Sequence, residues 1–361
     1  MKNLFVLHTQ YNIILGASII YDHFKDCQND LVVYAEFAIS GEMEKKLRSY
    51  FNNVLFVRKV FSRHSGGRIS IERQFYKEAS CFKNSVLFLE KYDNVFLSQE
   101  RPFDSLIVGY CKRKNSSLRC WDIEEDCYYS LTTEKNNPLY KEEFHNRLSH
   151  YFRKLLYGCR NYNSEENRGL KFYGQASFYD GIYALYPNLL RPELKSQKSI
   201  GLSSSSIVEA INFLYGSDKQ SYSEDIHYTV FFFDLIERYK HPNVIKSIVN
   251  HLANSLGNEK SVLLLKYHPR ETNKYSFDLL SDKVREIASI IPAEKLLCDL
   301  SGKNVTVYGN ATTSVIVAQK LGFKTVSIVE IEGSNNRYMI EKFKEMGIII
   351  PKTEKELIES I

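Results

Sequence analysis

The sequence predicts an α/β protein of two domains, each built from parallel βαβ units. Three observations predict it. The chain has 361 residues, enough for two domains of ~100–200 residues each. Short apolar runs alternate with helical periodicity along most of its length, the pattern of parallel sheets with crossover helices. Some of those runs end abruptly on polar residues, as happens where an open sheet presents ligand-binding groups at the C-terminal ends of its strands.

In the first half, residues 3–8 read as a strand and 13–24 as a helix. Strands follow at 31–36 and 54–60, with a helix at 42–52 between them. A basic, glycine-bearing loop, Arg63 to Arg68, precedes a helical stretch over 69–89. Strands at 94–97 and 118–123 flank a helix at 106–113. Phe144, Leu148, Phe152 and Leu155 then recur at helical spacing, with Arg147, Arg153 and Lys154 largely off that stripe. The plain reading of 144–157 is a surface helix; the functional one is contact with a membrane surface or an anionic glycan. Residues 160–225 are less regular, with Tyr186-Pro187, Arg191-Pro192 and four serines, 203–206, capping a helix that runs to Tyr215. Composition places a domain junction there, giving domains 1–190 and 191–361 with a linker region near 191–226. The second half restarts with a strand at 228–233 and a helix at 241–256. Then come a strand from Val262, a helix at 284–290, a strand at 303–307, a helix at 312–321, a strand at 325–329 and a helix at 336–346.

Composition narrows the function classes. Hydrophobic residues make up 43% and charged residues 25% of the chain, ordinary for a globular protein. The net charge of +5 suits an anionic substrate or an acidic membrane surface, and is too small and too evenly spread to argue for nucleic acid. No apolar run approaches the ~18 residues of a transmembrane helix. His8, Gln10 and Asn12 interrupt the apolar N-terminus, and no small-residue cleavage site follows, so the expected location is cytoplasmic. The seven cysteines include no C-x-x-C pair, which favours reduced thiols over disulfides or zinc.

The chemistry concentrates in a few stretches. Val262–Leu265 is too short for a helix and apolar enough for a buried strand; it delivers Tyr267-His268-Pro269-Arg270-Glu271. Pro269 fixes its own φ and disfavours helix at His268, so the imidazole sits on extended backbone. Pro292-Ala293-Glu294 follows, then Gly309-Asn310-Ala311-Thr312-Thr313-Ser314, a strand entering a helix through small hydroxyl residues. Free amides and hydroxyls at a helix N-terminus suit a phosphate; the plainer reading is an ordinary N-cap. In the first half, Asp122, Glu124, Glu125 and Asp126 crowd the end of a strand. Crowded carboxylates raise one another's pKa, which suits a general base; otherwise they form a solvated acidic loop.

Taken in order, these stretches resemble the bacterial sialyltransferases of the two-domain GT-B glycosyltransferase fold, the group of lipooligosaccharide sialyltransferases and capsular polysialyltransferases. The residues that carry the likeness are Glu125-Asp126-Cys127 with Ser130, His268-Pro269-Arg270, Pro292-Ala293-Glu294, Thr312-Thr313-Ser314, and Leu7-His8-Thr9-Gln10-Tyr11 at the first strand. Cys127 stands where that family usually has Gly, and a non-Gly residue resists positive φ; Asp234, after the strand at 228–233, is therefore a second candidate base.

The resemblance implies two Rossmann-like domains facing a cleft, with the acceptor on the N-terminal and the donor on the C-terminal domain. It implies inverting, metal-independent transfer of sialic acid from CMP-sialic acid to a hydroxyl of a cell-surface glycan, lipooligosaccharide or capsule, with no cofactor. The donor's phosphate would meet His268, Pro269, Arg270 and the Thr312, Thr313, Ser314 turn, and Glu294 would hold its nucleoside. Gln10 and Ser130 would lie on the acceptor side, and Glu125 or Asp126 would take the acceptor proton. Peripheral attachment to the inner membrane face is a further expectation. Alternatives are a transferase for Kdo, another CMP-linked nonulosonate or a CDP-linked donor, and a non-catalytic nucleotide-binding homologue.

Overall fold

The computed structural model describes residues 1–35, 39–58, 68–98, 102–124, 127–128, 178–216, 222–256, 260–272, 275 and 283–359. The chain divides into two units, Met1–Leu214 and Tyr215–Ile361.

The first unit is a seven-stranded, all-parallel sheet. Its strands are β1 (Lys2–Leu7), β2 (Gln28–Ala35), β3 (Asn53–Arg58), β4 (Asn94–Leu97), β5 (Arg119–Ile123), β6 (Gly181–Ala184) and β7 (Lys198–Gly201). They lie in the order β3-β2-β1-β4-β5-β6-β7. β1 is central, so both its faces are covered and it reads as a continuous apolar run. Phe5 stands opposite Leu31 and Phe96 in the register and stacks on Phe96 with ring centroids 4.4 Å apart.

Helix α1 (Gln10–Ile19) starts at a capping box in which Thr9 and Asn12 satisfy each other's backbone amides, and it runs into a π-helical turn, Ile20–Phe24. Helix α2 (Gly41–Tyr50) joins β2 to β3. The stretch expected as one helix over 69–89 is two: α3 (Arg68–Lys83) and the single turn α4 (Val86–Leu89), parted at Asn84-Ser85. Helix α5 (Pro102–Lys114) connects β4 to β5, and α6 (Ser204–Tyr215) follows β7.

β6 and β7 lie within 160–225, where the sequence predicts a helix to Tyr215 but no strand. Each is four residues long, too short for periodicity to register. Gly181 explains how β6 seats: a Cβ there would lie 2.4 Å from the Lys198 carbonyl oxygen and 2.8 Å from the Trp121 ring. The basic loop 63–67 and the amphipathic segment 144–157 lie outside the described residues.

The second unit is a five-stranded parallel sheet of β8 (His227–Phe232), β9 (Ser261–Lys266), β10 (Val284–Ile287), β11 (Asn304–Gly309) and β12 (Lys324–Ser327), in the order β10-β9-β8-β11-β12. Its helices are α7 (Pro242–Asn254), α8 (Ala293–Asp299), α9 (Thr313–Lys320), α10 (Arg337–Glu345) and α11 (Glu354–Glu359). α7 buries Ile245, Ile248, Val249 and Leu252, an i, i+3, i+4, i+7 stripe. Each of these burials is worth about 1.5–3 kcal/mol.

The expected helix at 284–290 is a correction. Val284–Ile287 is an edge strand on β9, with Arg285 and Glu286 exposed and Ile287 buried. Its apolar residues at 284, 287 and 290 imitate helical spacing, but the free edge of β9 recruits the segment.

Both sheets reverse strand order beside their first strand, between β1 and β4 and between β8 and β11. Those two switch points are where an open α/β sheet binds ligands, outside the carboxyl ends of the strands.

Candidate functional site

The second unit brings most of the expected donor residues to one sheet edge. Asp234 follows β8, His268 and Arg270 follow β9, Glu294 lies in the first turn of α8 after β10, and Thr312, Thr313 and Ser314 follow β11. All of these are C-terminal strand ends, and β8 and β11 form the switch point.

The turn after β11 is built around close approach. A Cβ on Gly309 would meet Val315 of α9 at 2.8 Å and the Phe232 carbonyl at 3.3 Å, so only glycine lets α9 start this near β8. Thr312 occupies the N-cap of α9, yet its side chain makes no capping bond. Its Oγ1 is buried without a hydrogen-bond partner, and so is Oδ1 of Asn310. Buried polar atoms are normally paired. Two orphans next to uncapped helix amides make a place where the protein has left hydrogen-bonding capacity unused. Thr312 is thus an N-cap by backbone position whose side-chain capping bond is absent. Thr313 is exposed and Ser314 half-buried.

The loops after β8 and β9 are tied together. Glu271 accepts from the Ile236 amide at 2.7 Å, and Tyr267 stacks on Phe233 with centroids 4.4 Å apart. Asp234 is buried; its Oδ1 accepts from the Leu235 amide (2.8 Å) and from Arg238 (3.3 Å), and its own amide donates to the Tyr239 hydroxyl at 2.8 Å.

His268 is half-buried, and its Nδ1 accepts the Arg270 backbone N–H at 3.1 Å. That bond assigns the neutral tautomer with hydrogen on Nε2. Burial, then the Arg270 charge, hold the imidazole pKa below its ordinary value, with Arg238 and Lys266 adding to this and Asp234 opposing it. His268 is thus a neutral N–H donor near pH 7.

Glu294 is buried, and burial pushes its carboxyl upward; its own backbone N–H and Lys266 pull the other way. Lys266, the last residue of β9, is also buried. Burial pushes its ammonium down to about 8, against the pull of Glu294 and Glu286, and Nζ donates to the Tyr267 carbonyl at 2.9 Å and the Ser289 carbonyl at 3.3 Å. Neither Lys266 nor Asn310 was singled out from sequence. The available signals were a charged residue closing an apolar strand and an amide side chain directly after Gly309.

In the first unit, Glu125, Asp126 and Ser130 lie outside the described residues. Gln10 opens α1 at the end of β1 and is half-buried. Beside them is a network absent from the sequence reading. Glu124 is buried and accepts from the hydroxyls of Tyr11 (2.8 Å) and Tyr128 and from the Leu185 amide; Tyr128 in turn accepts from the Tyr186 amide at 2.8 Å. Burial first, then the Glu124 charge, push the Tyr128 phenol well above its usual range, so it stays a donor. Cys127 is buried within the same loop. His8, at the β1/β4 switch point, is fully buried with Nε2 2.9 Å from Asp104 Oδ1.

A pocket of about 300 Å³ lined by Arg48, Asn53, Leu55 and Val86 sits at the N-terminal end of β3, the opposite sheet edge from these groups. Among the described residues, no group of three or more His, Cys, Asp or Glu side chains could hold a metal ion.

No protein-family model matches the chain, and no curated protein is significantly similar to it. Solved structures are. The UDP-GlcNAc 2-epimerase of Methanocaldococcus jannaschii superposes with a TM-score of 0.60 at 16% identity, over 100% of this chain and 91% of that one. The corresponding enzyme from Neisseria meningitidis, bound to UDP-GlcNAc, gives 0.54 at 15%, over 100% and 99%. The glycotransferase of kitacinnamycin gives 0.56 at 10%, over 99% and 89%. At such identities the likeness is one of fold: two parallel-sheet α/β domains, of seven and five strands, as in GT-B enzymes.

Proposed function

We propose that this chain is a sugar-nucleotide-dependent glycosyltransferase that moves sialic acid from CMP-sialic acid to a glycan hydroxyl. The observation that carries the reading is the turn Asn310–Thr312. Its orphaned Oγ1 and Oδ1 and its uncapped helix amides lie at the same sheet edge as the Nε2–H donor of His268. Such an arrangement suits a phosphate, whose charge fixed dipoles stabilise without reorganisation.

In this reading the phosphate of CMP lies against Thr312, Thr313, Ser314 and His268, beside Pro269, with Arg270 and Lys266 adding positive charge. Glu294 takes the nucleoside hydroxyls. The acceptor hydroxyl loses its proton to a carboxylate while its oxygen bonds to the anomeric carbon. The bond from that carbon to the phosphate oxygen breaks, and CMP leaves with the electron pair, held by the His268 hydrogen bond. A single displacement inverts the anomeric centre. Gln10 and Ser130 belong to the acceptor side. The base is Glu125 or Asp126, with Asp234 the alternative. Glu125→Gln should stop transfer and keep CMP affinity; loss of transfer in Asp234→Asn alone would assign the base to Asp234 instead.

A second reading has a specific support. Structures that share the fold are described with UDP-GlcNAc and UDP bound, so a uridine diphosphate donor is the competing class. Calorimetric titration with CMP, CDP and UDP separates the two, followed by incubation with CMP-sialic acid and a labelled glycan panel. CMP binding with sialyl transfer supports the proposal. Tighter UDP than CMP binding favours the second reading, and CMP binding without transfer favours a non-catalytic homologue.

A further inference from the structure

The turn after β12 carries two carboxylates in different states. Glu332 is buried and accepts the backbone N–H groups of Lys240 and, at 3.0 Å, His241. Glu330, two residues earlier, has its Oε2 buried with no hydrogen-bond partner. Its backbone is fixed all the same. The Glu330 carbonyl accepts from the Gly333 N–H at 3.0 Å, and the Ile328 and Val329 carbonyls accept from Glu332 (2.9 Å) and Ser334 (3.0 Å). A well-bonded turn thus holds a carboxylate oxygen whose accepting capacity the protein does not use.

A second unused acceptor lies on the neighbouring turn. β12 pairs with β11 as far as Ser327 opposite Gly309. Beyond that, the Ile328 N–H donates to the Gly309 carbonyl at 2.9 Å and the Ser327 hydroxyl to the Asn310 carbonyl at 3.3 Å. The turn that carries Glu330 is therefore tied to the one that carries Asn310. Asn310 is 8% exposed, and its Oδ1 also lacks a partner. Carboxylate and amide oxygens accept hydrogen bonds. On the same turn the Thr312 hydroxyl and the first amides of α9 can donate, which serves phosphate oxygens. A phosphate diester has no hydrogen to give Asn310 or Glu330. Buried acceptors left unmade are costly, so this pair fits a group that brings hydroxyl hydrogens.

Strand order says which group. Along the edge, Glu294 follows β10, His268 follows β9, the Thr312 turn follows β11 and Glu330 follows β12, in a sheet ordered β10-β9-β8-β11-β12. With the phosphate between His268 and Thr312 and the nucleoside toward Glu294, the other substituent of the phosphate is left on the β12 side. We propose that Asn310 and Glu330 form the subsite for hydroxyl groups of the transferred sugar, a proposal that rests on the reading of this edge as a sugar-nucleotide site. A site that accepts from a substrate hydroxyl rejects analogues lacking it, because its own buried oxygens are then left unpaired.

The test is calorimetric titration of the full chain with two pairs: CMP and a non-transferable fluorinated CMP-sialic acid, and UDP and UDP-GlcNAc. The readout is the affinity for the sugar nucleotide relative to that for the bare nucleotide. In the pair that the wild type binds, Glu330→Ala should lower this ratio by about tenfold or more while the bare nucleotide binds as before. Asn310→Ala should act in the same direction; should it unfold the chain, Glu330→Ala carries the test. Glu332→Gln should leave the ratio as in wild type. A ratio unchanged in Glu330→Ala would overturn the proposal. So would an equal loss for nucleotide and sugar nucleotide, which would give the carboxylate to the nucleoside, and so would a wild type that binds neither pair. A wild type that binds only the UDP pair sinks the sialyl-transfer reading, yet a ratio lost there in Glu330→Ala upholds the subsite.

Discussion

Glu124 at the C-terminal edge of the first sheet and Thr312 at that of the second are in opposite states. Glu124 is surrounded by donors from Tyr11, Tyr128 and Leu185; elsewhere on that edge His8 Nε2 is bonded to Asp104, while His8 Nδ1 and Ser98 Oγ are buried without a partner. At the second, Thr312 and Asn310 carry buried oxygens with no partner, and His268 keeps its Nε2 hydrogen for something else. A carboxylate that already accepts three protein donors is an architectural group: it ties the end of β5 to Tyr11, Tyr128 and Leu185. The Thr312 hydroxyl is left unpaired at an uncapped helix end. Residue type alone does not separate the two; the state of its hydrogen bonds does.

Mutations should therefore divide by edge. The largest effect is expected at the second. His268→Ala should lower sugar transfer by ~10²–10⁴-fold at an unchanged melting temperature. Transfer within a few-fold of wild type would remove His268 from the chemistry.

At the first edge the loss should be in stability. Glu124→Ala leaves the Tyr128 hydroxyl and the Leu185 amide buried without an acceptor, at about 1–3 kcal/mol each. Urea unfolding should show a loss of about 2–6 kcal/mol. Were the fold unaffected and transfer abolished, Glu124 would be a catalytic carboxylate and the contrast would collapse.

Thr312→Val sharpens the comparison from the other side. The hydroxyl makes no bond within the protein, so unfolding should change little. CMP affinity should fall by about 1.5–3 kcal/mol, the cost of one hydrogen bond to a charged group.

The pH dependence is a smaller test. Above the ordinary imidazole pKa, His268 is neutral in folded and unfolded chains alike and contributes nothing. As pH falls below that value, the unfolded chain takes up a proton first because the folded pKa is depressed. Stability is therefore lost toward acid. His268→Gln should flatten this slope without abolishing it, because burial depresses His227 in the same direction. A steeper slope in the variant would contradict the burial argument.

The smallest expected change is with chelation. Charge at the Thr312 edge is met by amides, His268 and cations, so transfer should persist in EDTA and respond little to magnesium. Activity lost on chelation and restored by magnesium would shift attention to the carboxylates at 122–126 as metal ligands.

Much of this was legible in the chain. An uninterrupted Val-Leu-Leu-Leu run reads as a buried strand, a proline after His268 reads as a strand's end, and Gly309 before three hydroxyl residues reads as a strand-to-helix turn. These are local properties, decided by side-chain shape and backbone freedom within a few residues, and they sufficed for the α/β class and for placing His268 and Thr312 at strand ends. What was hidden depended on distant partners. Val284–Ile287 became a strand because β9 offered it an edge, and β6 formed because Gly181 let Lys198 and Trp121 close around it. Glu124 meets Leu185 across 61 positions, and His8 meets Asp104 across 96. Hydrogen bonds are short and directional, so only the folded chain decides which polar groups find partners in the protein and which, like the Thr312 hydroxyl, do not.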